Sequence, residues 1–275
     1  MFGWGIYDFL GGVFAKQIGP FKSFFWSQLA GLVSMLLLAF IFGAGFHVSG
    51  FAIILSMIAA IVYSAGYLFF FKGFEKGNVS IVAATMNLWA VFTMLFAFTF
   101  MGQRLSVIQT LGVLLIISGA TFASLNLNDI RNQGFRLSAG VREAILGAFF
   151  FGIFWNISEV ISEQIGWLLA TLLIKLGIVV FLLVFSAFVK QQVGLTQVTP
   201  TIKFTVALMG VIEAVAVALV NYGLTIGDAI LITPIASALS IVTITLAILF
   251  LKEKITKLQG VGILAAIAGI VLTAF

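Results

Sequence analysis

Glu213 stands in the run MGVIEAVAVALV and Lys175 in TLLIKLGIVV, each a single charge among apolar residues. A carboxylate in the middle of such a run costs about 2.5–3.5 kcal/mol unless it is paired, hydrated or protonated. Two chemistries fit Glu213: proton exchange during a transport cycle, or a structural ion pair with Lys175. Lys175 lies about ten residues from either end of its run, ~15 Å at the helical rise, too deep for its ammonium to reach an interface easily. Two further acids lie within apolar runs, Asp8 near the start of the chain and Glu159 in FGIFWNISEVISEQIG. Each reads either as a proton-coupling carboxylate or as a hydrated interfacial acid. With Glu163 and Asp228, they would make one mouth of the molecule acidic.

Covalent and metal chemistry find no such footing. The chain has no cysteine and one histidine, His47. That rules out thiolate sites, multi-histidine metal sites and a histidine triad within one chain. No nucleophile–base set or phosphate loop is present either. We therefore expect no enzyme, no catalytic residue, no metal and no cofactor.

The elements carrying these charges are membrane spans. Of the 275 residues, 62% are hydrophobic and 8% charged, against roughly 25% charged in a soluble domain. Apolar runs of membrane length fall at about 2–16, 23–46, 51–71, 79–101, 105–125, 144–162, 166–189, 202–222, 229–251 and 257–275. In lipid each must satisfy its own backbone, so each is a helix. The N-terminal run reads as a span and not as a cleaved signal, because no basic segment precedes it and no small-residue cleavage site follows.

The chain is written twice. GQRLSVIQTLGVLLIISG at 102–119 matches KEKITKLQGVGILAAIAG at 252–269, pairing Gln109 with Gln259, Gly112 with Gly262 and Gly119 with Gly269. Residues 72–125 align with 222–275 without a gap, and four of the five glycines in each window coincide. The first spans match at an offset of 147, QIG at 17–19 meeting QIG at 164–166. The expected organisation is a first five-helix repeat over 1–125, a polar linker over 126–142 and a second repeat over 143–275. Five crossings per copy invert the second relative to the first, a construction used for alternating access. Gly112, Gly119, Gly262 and Gly269, spaced by two turns, read as packing seams.

Twelve of the fourteen basic residues fall in loops after odd-numbered spans, against Arg104 alone after even-numbered ones. The positive-inside rule then puts the linker in the cytoplasm and both termini outside. The pI near 9.6 reflects these topology signals, so no nucleic-acid partner is expected.

Ten spans, a five-plus-five duplication and a GQRL turn leading into a glycine-bearing last helix resemble the drug/metabolite transporter superfamily, in its ten-helix EamA-type branch. The last-helix stretch is also similar to the small multidrug resistance proteins. The resemblance implies an all-α membrane protein that moves a small solute across a cell membrane, with export as the usual direction. It further implies a cavity lined by the first, third, fourth, sixth, eighth and ninth spans. On this sequence those spans offer Tyr63, Tyr67, Asn87, Trp89, Trp155, Asn156, Asn221, Thr233 and Ser237. Trp4 reads instead as an interfacial anchor. Asp8 is an attractive counterpart of the coupling carboxylate that small multidrug resistance proteins carry in their first helix. The branch's proline in the ninth span is present as Pro234, expected to kink its helix, while the matching position of the fourth span holds Ala84.

The function expected is secondary transport of an amino-acid-like or small cationic solute by alternating access, with Glu213, Asp8 and Glu159 as candidate proton sites. An efflux pump for lipophilic cations and a lipid-carrier flippase or scramblase are the alternatives. The partners expected are a small-molecule substrate, protons and the bilayer. One chain holds both repeats, so a monomer suffices.

Overall fold

A computed structural model describes residues 2–42, 48–124, 137–237, 239–273 and 275. His47 and most of the 126–142 linker lie outside these residues, as do the side chains of Pro234 and three others. The described chain forms α1 (Phe2–Ile18), α2 (Pro20–Ile41), α3 (Gly50–Lys76), α4 (Val79–Met86), α5 (Leu88–Phe100) and α6 (Val107–Ser124) in its first half. The second half forms α7 (Val141–Ile165), α8 (Trp167–Phe188), α9 (Pro200–Leu224), α10 (Ala229–Ser237), α11 (Leu239–Leu251) and α12 (Lys257–Thr273). Six stretches are long and apolar enough by themselves to cross a membrane, α4 and α5 together forming one of them.

Local rules explain the helix ends. Pro20 and Pro200 open α2 and α9, where the missing N–H costs nothing. Ser49 and Thr199 cap α3 and α9 by accepting from Ala52 N and Ile202 N. The repeated glutamine belongs to a capping box. Gln109 Oε1 accepts from Ser106 N at 2.7 Å while Ser106 Oγ accepts from Gln109 N at 3.1 Å. Thr256 and Gln259 do the same at 3.0 and 3.3 Å, so each half's last helix is started by one device. The two QIG turns are equally matched: Gly19 and Gly166 sit at φ +89° and +78°, a region costly for other residues.

One expectation needs correcting. The fourth span is two helices, because at Asn87 the backbone tightens. Asn87 N donates to Ala84 O at 3.3 Å, and Ala90 N to Asn87 O at 3.1 Å. These are three-residue spacings in place of four, achieved without the proline of the ninth span.

Packing follows the duplication. Helix α1 packs on α11 as α7 packs on α5, and α2 on α9 as α8 on α3, while α2 meets α8 and α6 meets α12. Exchanging the halves reproduces the same pairings, the signature of an internal two-fold. In the α6–α12 seam a Cβ on Gly119 would lie 2.3 Å from Ala266 N, and one on Gly112 2.7 Å from Gly269 O. Backbone meets backbone there, so only glycine fits. Large apolar side chains such as Phe40, Leu95, Leu183 and Leu219 point outward, a surface suited to lipid.

Candidate functional site: a tryptophan-walled cavity beside a closed ion pair

Two of the buried polar clusters bear on the site. The first lies where the internal two-fold passes. Gln28 and Lys175 are repeat mates at an offset of 147, and Tyr63 and Glu213 at 150; here mates touch mates. Tyr63 Oη donates to Glu213 Oε1, and Lys175 Nζ donates to Glu213 Oε2 and, at 2.7 Å, to Gln28 Oε1. Gln28 Nε2 in turn donates to Tyr7 Oη at 3.3 Å, which shares a hydrogen bond with Ser27 Oγ at 3.1 Å. The Lys175 ammonium also lies 5.5 Å from the Tyr63 ring centre, a cation–π distance. Lys175 and Glu213 are fully buried, and both carboxylate oxygens are bonded. The first half thus contributes neutral partners to charges the second half supplies.

The second cluster is a cavity whose walls include Trp4 and Asp8 of α1, Tyr67 of α3, Asn87 at the α4–α5 break, Trp89 of α5, and Phe151 and Trp155 of α7. Trp4 meets Trp155 edge-on at 5.4 Å, Trp89 lies 6.0 Å from Trp155, and Trp4 lies 6.5 Å from Trp89. Three tryptophan rings are thus grouped in the cavity wall. The cavity is small, with about 30 Å³ open to a water centre, room for a water but not for a metabolite. Three polar atoms in the walls have no hydrogen-bond partner: Trp4 Nε1, Asp8 Oδ1 and Asn87 Nδ2. All three residues are at least 96% buried. Orphaned polar groups are expensive in an apolar interior, and two donors and one carboxylate oxygen in these walls lack a protein partner.

The EamA-like transporter family matches residues 1–125 and 139–275. The chain belongs to this family. EamA-like proteins are transporters and not enzymes, and the chain is accordingly a multi-pass membrane transporter. An uncharacterized protein of Methanocaldococcus jannaschii is 29% identical over 131 residues, 46% of this chain and 90% of that protein. That relative therefore corresponds in size to one half of this EamA-like chain. A protein of known crystal structure shares the fold, with a TM-score of 0.71 at 14% identity, covering 97% of this chain and 91% of that one.

Within this EamA-like fold, Tyr67, Asn87, Trp89 and Trp155 from the expected substrate set line the cavity together with Asp8. Tyr63 does not; it is committed to Glu213. Asn156 donates to Thr93 O at 3.1 Å and to Gly152 O at 2.8 Å, joining α7 to α5. Thr233 Oγ1 donates to Ala229 O of its own helix at 2.7 Å. Thr233 and Ser237 are buried outside the cavity walls. Asn221 joins Ser158 and Thr171, both at 2.8 Å. Glu159 is 1% exposed and stands outside the cavity walls, where it accepts from Ala229 N at 2.9 Å.

Trp4 is the main correction. It is 4% exposed and stands in the cavity wall, not at the interface. Its neighbours Gly3 and Gly5, where a Cβ would come within 2.9 Å of Ile212 and 2.5 Å of Val242, let α1 approach α9 and α11 and carry the ring inward. The repeat held the clue, since Phe151, the mate of Trp4, also lines the cavity.

Proposed function

We propose that this EamA-like protein is a secondary transporter of a small ammonium-bearing metabolite, amino-acid-like or simply cationic, working by alternating access through the tryptophan-walled cavity. The observation that carries this reading is the unpartnered Asp8 Oδ1 in a cavity wall that also holds three tryptophans. A buried carboxylate with aromatic walls is the recognised chemistry for an organic cation. The free donors of Trp4 and Asn87 suit an acceptor oxygen on the same solute, which favours the amino-acid-like form. A proton and an ammonium competing for Asp8 would couple the two fluxes, and export is the direction the family resemblance suggests.

A lipophilic-cation pump would use the same walls. A flippase needs a groove that takes a polar headgroup from the bilayer. The lipid-facing groove lined by Val211, Ile212, Val215, Leu219, Ile232 and Gly3 has only apolar lining, which favours the metabolite reading.

The test is a thermal-shift series on purified protein with amino acids, alkylamines, quaternary ammonium ions and simple carboxylates, since a ligand of the folded state raises apparent stability. Ammonium-bearing solutes should stabilise, and Asp8→Asn should abolish the response. Stabilisation by carboxylates alone would overturn the proposal. For topology we propose a cytoplasmic linker and extracytoplasmic termini in the cell membrane. Single cysteines in the 126–142 linker and after Phe275 should then label oppositely with an impermeant thiol reagent, and labelling of the linker alone in intact cells would reverse the orientation.

A further inference from the structure

Helices α4 and α10 are repeat mates, which the inverted repeat starts at opposite faces of the bundle, and each N-terminus is held from a distant loop. Val79 and Ser80, the first residues of α4, donate their backbone N–H groups to Glu253 Oε1 and Oε2 at 2.7 and 2.9 Å. Glu253 lies between α11 and α12, more than 170 residues away along the chain. Ala229 and Ile230, the first residues of α10, donate to Glu159 Oε1 and Gln103 Oε1 at 2.9 and 3.1 Å. Gln103 Nε2 closes the arrangement by donating to both Glu159 oxygens at 3.0 and 3.1 Å. Gln103 and Glu253 are repeat mates at the offset of 150, as are Val79 with Ala229 and Ser80 with Ile230. One device is therefore built twice, each copy joining the two halves.

A mere cap needs only a residue next in sequence, and neither Asn78 nor Asp228 is used that way. Asn78 makes no side-chain cap bond to α4; the acceptors come from the other half instead. Helix α4 carries Ala83 and Met86 of the cavity wall and ends at Asn87. Swinging its N-terminus outward opens the cavity toward the face that holds Glu253. Helix α10 leads to Leu239, also in the wall, and releasing it opens the other face. We propose that Glu253 on one face, and Gln103 with Glu159 on the other, are the latches of the two gates. Both sets of bonds are made in this structure, and transport releases them in turn. The charges differ: one latch is a carboxylate holding two donors of a helix N-terminus, and the other shares the load between an amide and a buried carboxylate.

The inference rests on alternating access but not on any substrate, and its test needs none. Because the chain is free of cysteine, Ala83→Cys places one reporter in the cavity wall. Its labelling by an impermeant thiol reagent is read separately from each side of sealed vesicles. Glu253→Ala should raise labelling from the Glu253 face roughly tenfold or more, the scale of a lost charge-assisted pair of bonds. Gln103→Ala should raise it from the opposite face only. Glu253→Gln, which copies the other latch and keeps one acceptor, should fall between wild type and Glu253→Ala, and serves where Glu253→Ala does not fold. A lower melting temperature with unchanged labelling on both faces would make these residues plain caps and overturn the proposal. Changed sidedness in a protein that no ammonium solute stabilises in the thermal-shift series would leave the latches standing and sink the substrate reading alone.

Discussion

The axial network and the tryptophan-walled cavity both bury a carboxylate in the middle of an apolar bundle, yet they treat it in opposite ways. Both oxygens of Glu213 are bonded, one to Tyr63 and one to Lys175, whose ammonium is shared with Gln28. Asp8 Oδ1 has no partner, and two unpartnered donors stand in the same walls. Both acids are buried, and their bonding differs. On the proposed reading, a buried acid becomes a binding site when its neighbours leave it open, not simply because it is buried. This distinction reverses the order in which sequence alone would rank Glu213 and Asp8.

The largest expected effect lies in the closed network. Glu213→Gln or Lys175→Met leaves one fully buried charge without its counter-ion, which costs about 3–5 kcal/mol. Either single variant should lose most of its folded yield and melting temperature in detergent. The double variant Glu213→Gln with Lys175→Met should recover most of that loss, because a neutral polar cluster replaces a stranded charge. The recovered protein should still bind the ammonium solute proposed for Asp8. If it is folded but no longer transports, Glu213 belongs to the coupling machinery and the contrast between the two clusters collapses.

The open carboxylate should respond in the opposite sense. Asp8→Asn removes an uncompensated charge from a dry wall, so melting temperature should hold or rise. Affinity for an ammonium solute should fall roughly tenfold to a hundredfold, the worth of a hydrogen bond to a charged group. A drop in stability with affinity retained would mean that Asp8 is structural.

Sequence carried the fold further than the site. Spans, duplication and the glycine seam follow from apolar length and repeated spacing, because lipid forces helices and close backbones force glycine. The site was harder because residue type does not show which way a side chain turns. Thr233 and Ser237 are polar but buried outside the walls, and their mates Ala83 and Asn87 line the cavity instead; the site leans toward the first half. The polar set Ser158, Thr171 and Asn221 illustrates the same loss of symmetry. Its mates are Gly11, Phe24 and Phe71, where Phe24 and Phe71 rings pack edge-on at 6.0 Å and a Cβ on Gly11 would meet Phe71 at 2.4 Å. One contact is solved once by hydrogen bonds and once by an aromatic plug, and only three-dimensional pairing shows it. Sequence does not single out Gln103 and Glu253, because each meets backbone groups more than a hundred residues away.

The smallest effect separates the two solute classes still admitted by the cavity. Trp4 and Trp89 both offer a ring face, but the indole N–H of Trp4 is one of the unpartnered donors. Replacing tryptophan by phenylalanine keeps an aromatic face and weakens cation–π attraction by about 0.5–1 kcal/mol. For a simple alkylamine, Trp4→Phe and Trp89→Phe should therefore cost the same few-fold in affinity. A solute bearing a carboxylate besides its ammonium gives the Trp4 N–H an acceptor, and its loss adds roughly 1 kcal/mol or more. Trp4→Phe should then weaken amino-acid binding about fivefold further than Trp89→Phe does, while the alkylamine shows no such gap. Calorimetric titration of both variants with an amino acid and with the amine of the same side chain reads this directly. Equal losses for both solutes would remove the acceptor oxygen from the recognition chemistry and leave a site for a simple cation.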